Sequence, residues 1–335
     1  MRIIQLEAPG IDNLVRTELK DGTCEPGPGE ICVRLRAASL NFHDYAVVAG
    51  FIPVAPNRIP LSDAAGEVIA CGGDVTAFAP GDRVMTTFYP AWQDGRPAPH
   101  LTRLITGDRN DGYARDVVCA PESWFTKAPA GYSHEEAATL PCAALTAWRS
   151  LIEEGRLKSG DTVLVQGTGG VSLFAVQLAK NAGARVIATS SSDAKLARAQ
   201  ALGADHVINY RTDPQWGATA KEMTGGQGVD HVIEVGGPQT LGQSIAACRV
   251  GGHIALIGVL TGVSGEVPTA EIFKSQLKIT GIGVGNRRQQ QDMVRALEAS
   301  DIRPVIDRAF DLDDIQDAFR HLESQTHFGK IVLTF

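Results

Sequence analysis

A two-part α/β chain, with a barrel-like β domain joined to a doubly wound parallel sheet, is the fold class the sequence predicts, and three observations predict it. Up to residue 125, short alternating runs are separated by turn dipeptides, the pattern of a β barrel. From Asp161 onward, apolar runs are each followed by a segment of helical period, which is βαβ repetition. The first of those runs ends in a glycine turn, Gly167-Thr-Gly-Gly-Val-Ser172. The 335 residues leave room for two domains at roughly 150 residues each.

Composition excludes several function classes. Hydrophobic residues are 44% and charged residues 21% of the chain, so neither a disordered nor a fibrous protein fits. Lys plus Arg is 31 against 38 Asp plus Glu, a net charge of -7, whose field repels phosphate backbones, so no nucleic-acid partner is expected. No window approaches the roughly 18 apolar residues of a membrane span, so no membrane partner is expected either. The opening MRIIQLEAPG lacks the apolar core of a secretory signal, and the expected location is cytoplasmic. Cysteines at 24, 32, 71, 119, 142 and 248 contain no CxxC pair; the thiols are expected to be reduced and mostly packing groups.

In chain order, Glu25-Pro-Gly-Pro-Gly29, Cys71-Gly-Gly-Asp74 and Ala79-Pro-Gly-Asp82 mark turns between strands such as Ile31–Arg36. Residues 86–115 follow neither period and read as a long irregular lobe or pocket wall. Then come TVLVQG with helix LFAVQLAKNAG, RVIATS with helix DAKLARAQALG, HVINY, HVIEVG with helix TLGQSIAAC, and HIALIG. Gly183 and Gly203 fall just past the first two helical segments, where a left-handed cap is expected. The apolar stretch Leu277–Val284 has the look of a last sheet strand. The tail holds helical segments near Gln289–Ala299 and Asp313–Leu322 and a final strand, Lys330–Thr334, expected to pack on the first domain.

The strand–turn–helix order at Gly167, Gly169, Gly170 and Val171 brings amide N–H groups and a helix N-terminus onto a dinucleotide pyrophosphate. Ser172 stands at the third glycine position, small enough for helix and strand to pack. NAD-specific sites carry an acid at the end of the second strand. Here Ser190, Ser191, Ser192 and Lys195 follow it, and hydroxyls with an ammonium suit a 2′-phosphate. NADPH is therefore the expected cofactor. The same residues also suit a helix cap at Ser192 or Asp193 and a solvated Lys195.

Six stretches together resemble the medium-chain dehydrogenase/reductase superfamily, in its zinc-independent quinone oxidoreductase-like branch. They are Ala38-Ser-Leu-Asn-Phe-His-Asp44, Ile59-Pro-Leu-Ser-Asp-Ala-Ala-Gly-Glu67, Ala79–Val84, Ala138-Thr-Leu-Pro-Cys-Ala-Ala-Leu-Thr-Ala-Trp148, the glycine turn, and Ala204-Asp-His-Val-Ile-Asn-Tyr210. The resemblance implies a GroES-like β-barrel catalytic domain (1–125 and 286–335) and an NADP-binding Rossmann domain (126–285). It also implies that Asn41 faces the nicotinamide, that Thr146 lies near it, and that Lys195 and Tyr210 hold the 2′-phosphate. Pairing of the coenzyme domains, common in this branch, implies a homodimer.

Zinc enzymes of the superfamily ligate their catalytic metal through a Cys, a His-Glu pair and a second Cys. Here those positions hold Asn41, Ser62-Asp63 and Cys142, and one thiol does not make a tetrahedral site. No metal is expected. The Tyr of a Gly-x-Tyr-Pro stretch is replaced in Gly50-Phe-Ile-Pro53. His43 stands where zinc enzymes carry a proton-relaying Ser or Thr, and an imidazole there can hydrogen-bond or protonate a substrate oxygen; a structural role fits the sequence equally. Asp44 either orients His43 or braces the loop. Were the segment extended, Asn41 and His43 would share a face. Tyr45, Phe51, Phe88, Tyr89 and Trp92 are pocket walls or core.

The expected activity is NADPH-dependent, zinc-independent hydride transfer to a quinone or α,β-unsaturated carbonyl, with a small apolar carbonyl compound as substrate. The rivals are an aldehyde/ketone reductase or alcohol dehydrogenase, and a cofactor-binding structural or interaction protein without turnover.

Overall fold

The computed structural model describes residues 1–18 and 25–335, so Cys24 lies outside the described residues. Its strands are β1 (Arg2–Leu6), β2 (Leu14–Glu18), β3 (Glu30–Ser39), β4 (Asp63–Cys71), β5 (Arg83–Thr86), β6 (Val117–Pro121), β7 (Phe125–Lys127), β8 (Thr162–Gln166), β9 (Arg185–Ser190), β10 (His206–Asn209), β11 (Val229–Glu234), β12 (Cys248–Leu256), β13 (Lys278–Gly281), β14 (Ile306–Asp311) and β15 (Lys330–Thr334). They fall into two compact units, Met1–Leu145 with Val284–Phe335, and Thr146–Gly283.

The first unit is a sheet in the order β14-β15-β3-β4-β5-β7, with β6 also on β3 and a separate β1-β2 pair. One edge of β3 serves two strands: its first half pairs with β6 and its last residues with β15, while β4 takes the other edge. That split curls the sheet around a core holding Ile31, Val33, Leu35, Val84, Phe125, Phe319 and Leu333. The tail helices, Arg287–Glu298 and Ile315–Glu323, belong to this unit. The expected boundary at residue 125 moves to Leu145 because β7 pairs with β5 and the Cys142 amide donates to Asp63 Oδ2 at 3.0 Å.

Cys32 and Cys119 stand opposite one another in the β3–β6 register and are joined as a disulfide, a correction to the expected reduced thiols. Sheet register, not sequence spacing, brings them together. Among the described residues, Cys71, Cys142 and Cys248 take no part in a disulfide. The 86–115 lobe has one short helix, Pro99–Thr102. It is clamped to the preceding segment: Gly112 donates to Ile59 O at 2.7 Å and Tyr113 N to Leu61 O at 3.0 Å. A Cβ on Gly112 would meet Leu61 O at 2.2 Å, so only glycine permits that approach.

The second unit is a six-stranded parallel sheet, β10-β9-β8-β11-β12-β13, the order of a doubly wound dinucleotide fold. All five residues of β8 are buried, and covering each apolar side chain there contributes about 1.5–3 kcal/mol. Helices Gly170–Asn181, Asp193–Ala201, Trp216–Glu222 and Pro238–Ala247 connect the strands. Gly183 and Gly203 follow two of them with φ of 79° and 117°.

Candidate active site

In the first unit, Asn41 is the N-cap of helix Phe42–Val48, with φ -123° and ψ 160°. Asp44 is the N3 residue of that cap. Its Oδ2 accepts from Asn41 N at 2.8 Å and its Oδ1 from Ser62 N at 2.9 Å. Asp44 therefore braces the loop, one of the two roles the sequence left open. The cap also corrects the extended geometry that would have put Asn41 and His43 on one face, since residues two apart on a helix diverge. Asn41-x-x-Asp44 is itself a capping-box pattern, the signal that foretells this.

The two side chains accordingly meet different partners. Asn41 Oδ1 accepts from Lys330 Nζ at 2.6 Å, and Asn41 Nδ2 donates to Ser62 Oγ at 3.2 Å. Lys330 Nζ also donates to Leu40 O at 2.5 Å, and the lysine is 4% exposed. Asp63 lies in the same cluster, fully buried, with Oδ1 lacking a hydrogen-bond partner among the described residues. Burial pushes its carboxyl up to about 7, against the pull of Lys330 and Asn41. Burial likewise raises Asp44, against the pull of His43, and lowers Lys330, against the pull of Asp63. Loss of hydration outweighs pairing for each group.

His43 turns the other way. Its ring packs edge-on to Phe88 with centroids 5.4 Å apart, and Nε2 lies 4.0 Å from Asp108 Oδ2. Phe88 and Trp92 are buried, Phe51 is exposed, and the Tyr45 hydroxyl donates to Glu323 at 2.6 Å. Of the aromatic residues singled out from the sequence, then, Phe88 stands against His43 while Phe51 points to solvent. Asp108 and Lys330 escaped the sequence reading because long chain separations bring them to the segment Leu40–Asp44.

The zinc test follows from these donors. Asn41, Ser62, Asp63 and Cys142 offer one thiol and one carboxylate, and an ammonium is hydrogen-bonded into their midst. Among the described residues no group of three or more His, Cys, Asp or Glu is placed to hold a metal ion. The residues do not fit a catalytic zinc.

In the second unit, Gly167 turns the chain with φ 70°, and its N–H donates to Thr189 O at 2.8 Å. Helix Gly170–Asn181 begins with Gly170 and Val171. A Cβ built on Gly167 or Gly169 meets no atom within 4 Å; the backbone there faces open space, the cradle a pyrophosphate requires. Ser172 does more than stay small, since its Oγ donates to Gln166 O at 2.6 Å and ties helix to strand.

Ser190 ends β9 beside Asn209 of β10, and Tyr210 N donates to Ser190 O at 3.1 Å. Ser192 N donates to Ser190 Oγ at 3.3 Å, and Ser192 Oγ caps the next helix by accepting from Lys195 N at 3.4 Å. Ser190 and Tyr210 thus meet at the ends of two neighbouring strands, and Ser191, Ser192 and Lys195 follow Ser190 into the next helix, with Ser192 as its cap. Thr146 is buried, and its carbonyl accepts from Ser150 Oγ at 2.7 Å. Glu234, which the sequence did not reveal, accepts from Gln166, Ser244, Thr240 and the amides of Gly236 and Gly237. It ties the end of β8 to the turn after β11. A dinucleotide fits the residues present.

The chain matches the family described as Zinc-binding dehydrogenase over residues 170–299 and the Alcohol dehydrogenase GroES-like domain over residues 27–130. It is 42% identical to Zinc-type alcohol dehydrogenase-like protein C1773.06c of Schizosaccharomyces pombe, over 99% of this chain and 98% of that one. It is 29% identical to an acryloyl-coenzyme A reductase of Metallosphaera sedula, covering 92% of this chain and 93% of the relative. A crystal structure of a putative alcohol dehydrogenase from Sinorhizobium meliloti superposes with a TM-score of 0.94 at 41% identity, covering 100% of this chain and 98% of that one.

Proposed function

The chain belongs to the medium-chain dehydrogenase/reductase superfamily, and from that premise we propose an NADPH-dependent, zinc-independent reductase of quinones or α,β-unsaturated carbonyl compounds. At the coarser level it is an NAD(P)-dependent oxidoreductase with the GroES-like and Rossmann-type domains of that superfamily.

The observation that carries the finer reading is the Lys330 ammonium bonded to Asn41 where the zinc members of the superfamily hold their metal. With no Lewis acid, negative charge on the substrate oxygen must be met by fixed donors. An enolate or quinol anion, already delocalised, demands less of such donors than a simple alkoxide. The acryloyl-coenzyme A reductase among the relatives acts on a conjugated acyl group by its name, which supports the same choice.

The chain's own residues take these parts. Gly167, Gly169, Gly170 and Val171 bind the pyrophosphate through backbone amides and the helix N-terminus. Ser190, Ser191, Lys195 and Tyr210 receive the 2′-phosphate, with Ser192 holding the helix that carries Lys195. Asn41 and Thr146 are retained as nicotinamide contacts. When bound, the reduced nicotinamide supplies a hydride. His43 meets the substrate oxygen and gives it a proton, and Asp44 keeps the His43 helix tied to Ser62.

A second reading, an alcohol dehydrogenase or aldehyde/ketone reductase, is favoured by the names of the relatives at 42% and 41% identity. One experiment separates them: oxidation of NADPH and NADH against quinones, enones, aldehydes and ketones, with alcohols assayed in reverse, with and without chelator. The proposal expects NADPH to be preferred, conjugated substrates to be turned over fastest, and chelator to have no effect. Alcohol oxidation abolished by chelation overturns it, and no turnover on any substrate favours a binding protein.

A further inference from the structure

His43 Nε2 and Asp108 Oδ1 are both buried without a hydrogen-bond partner among the described residues. The other carboxylate oxygen, Asp108 Oδ2, lies 4.0 Å from that Nε2. Unsatisfied buried polar atoms are rare in native proteins, and one on each of two neighbouring side chains asks for a reason. Asp108 is 7% exposed. Its place is built rather than accidental, because the lobe carrying it is seated on Leu61 from both sides. A Cβ on Gly107, whose φ is 83°, would meet Leu61 N at 2.9 Å, and one on Gly112 would meet Leu61 O at 2.2 Å. Phe88 holds the imidazole plane from the side.

We propose that Asp108 is a positioning residue for His43: its carboxylate keeps the proton of the neutral imidazole on Nε2 and so presents Nδ1 to the substrate. The His43 side chain is 17% exposed although Nε2 itself is buried, so its exposed surface lies on atoms other than the one nearest Asp108. Hydrogen bonds between catalytic partners are often long without substrate and shorten in its presence, and the 4.0 Å separation is long in that sense.

The other charged groups nearby leave this pairing to Asp108. Asp44, on the His43 helix, has both oxygens taken by the amides of Asn41 and Ser62. Lys330 is bonded to Leu40 and Asn41. Arg109 Nε approaches Asp108 Oδ1 at 3.6 Å from an exposed position; it leaves Oδ2 to the ring.

The inference rests on His43 as the group that meets the substrate oxygen. In that step the Nδ1–H bond of the imidazolium breaks and an O–H bond forms on the anion left after hydride arrives from the reduced nicotinamide. The electron pair stays on Nδ1, the ring ends neutral with Nε2–H toward Asp108, and water restores the proton. A ring whose neutral form carried its proton on Nδ1 would leave Nε2, facing a carboxylate, to be reprotonated instead.

The test is nitrogen-15 NMR of the full-length protein labelled in histidine, with the His43 signals assigned by their loss in His43→Phe. Neutral His43 is expected as the Nε2–H tautomer in the unaltered protein and as a mixture in Asp108→Ala. In Asp108→Asn, whose amide can donate to Nε2, the proton should move to Nδ1; Asp108→Glu should restore the original pattern. The kinetic companion is a fall in kcat of about tenfold or more in Asp108→Ala, with KM changed less than about threefold and partial recovery in Asp108→Glu. A Nδ1–H tautomer in the unaltered protein, or one unchanged in Asp108→Ala and Asp108→Asn, overturns the proposal whatever the activity. The expected tautomers in a protein that reduces no carbonyl compound would uphold Asp108 and reject the reductase reading. Asp108→Asn is nearly isosteric and keeps the test alive should the Ala variant not fold.

Discussion

An ammonium taken out of water loses several kcal/mol of hydration that only well-placed partners offset. Lys330 has two hydrogen-bonded oxygens and the nearby charge of Asp63, and burial still lowers its proton affinity. Removing one member should therefore hurt more than removing both. At a pH well above the Asp63 value of about 7, Lys330→Met is expected to cost about 3–5 kcal/mol by leaving Asp63 buried and unpaired, whereas Lys330→Met with Asp63→Asn should recover more than half of that. Urea unfolding of the four proteins in this cycle measures it, and simple additivity would show that the two groups do not interact. The residue scale is also where the sequence was least legible. The sequence singled out Asn41, His43 and Asp44 and left Asp44 either to orient His43 or to brace the loop; the helix cap ties Asp44 into the loop, and the residue 4.0 Å from His43 Nε2 is Asp108 of the lobe. No local pattern records a contact made across so long a stretch of chain.

At the scale of elements the sequence was far more legible. Apart from the exposed Arg185, runs such as Thr162–Gln166 and Arg185–Ser190 are buried residue after residue, so they read as apolar-centred stretches without alternation, and their helices end where glycine permits positive φ. What the period does not encode is register. Cys32 opposite Cys119 is one case, and His231 opposite His253 in β11 and β12 is another, with rings 5.9 Å apart. Burial lowers His231 despite its bond to Asp161, and burial together with His231 lowers His253 to about 4. Both are held below the ordinary imidazole value in the folded sheet. As pH falls below about 6.5, the ordinary imidazole value, the unfolded chain binds protons that the folded one refuses, so stability is lost progressively down to about pH 4. In His253→Gln the loss between pH 7 and pH 4.5 should be smaller by about 2 kcal/mol, as read from urea midpoints at the two pH values. Equal losses in the two proteins would mean that His253 is protonated in the folded state.

For the molecule as a whole, the second unit poses the question of what covers its sheet. Among the described residues β13 is the end strand and pairs only with β12, so its outer edge presents N–H and C=O groups that are a template for another strand. Natural proteins blunt such an edge with charge, proline or a covering segment. Here Lys278–Gly281 carries one lysine and no proline, and apolar side chains stand exposed in the segments before it: Val263 is 89% exposed, Phe273 83% and Leu260 51%. A two-fold axis beside β13 would pair the edge with its own copy, antiparallel across the axis, and would bring those apolar groups under cover in the same step, the self-complementary contact that closes a dimer rather than starting a fibre. The chain is therefore expected to be a homodimer at micromolar concentration. Phe273→Asp with Val263→Asp should convert it to a monomer that keeps its secondary structure and its urea midpoint at high dilution, because neither side chain contributes to the core of its own unit. Sedimentation equilibrium on both proteins decides the point: a monomer in the unaltered chain refutes the pairing, and a dimer that survives both aspartates places the interface on another surface.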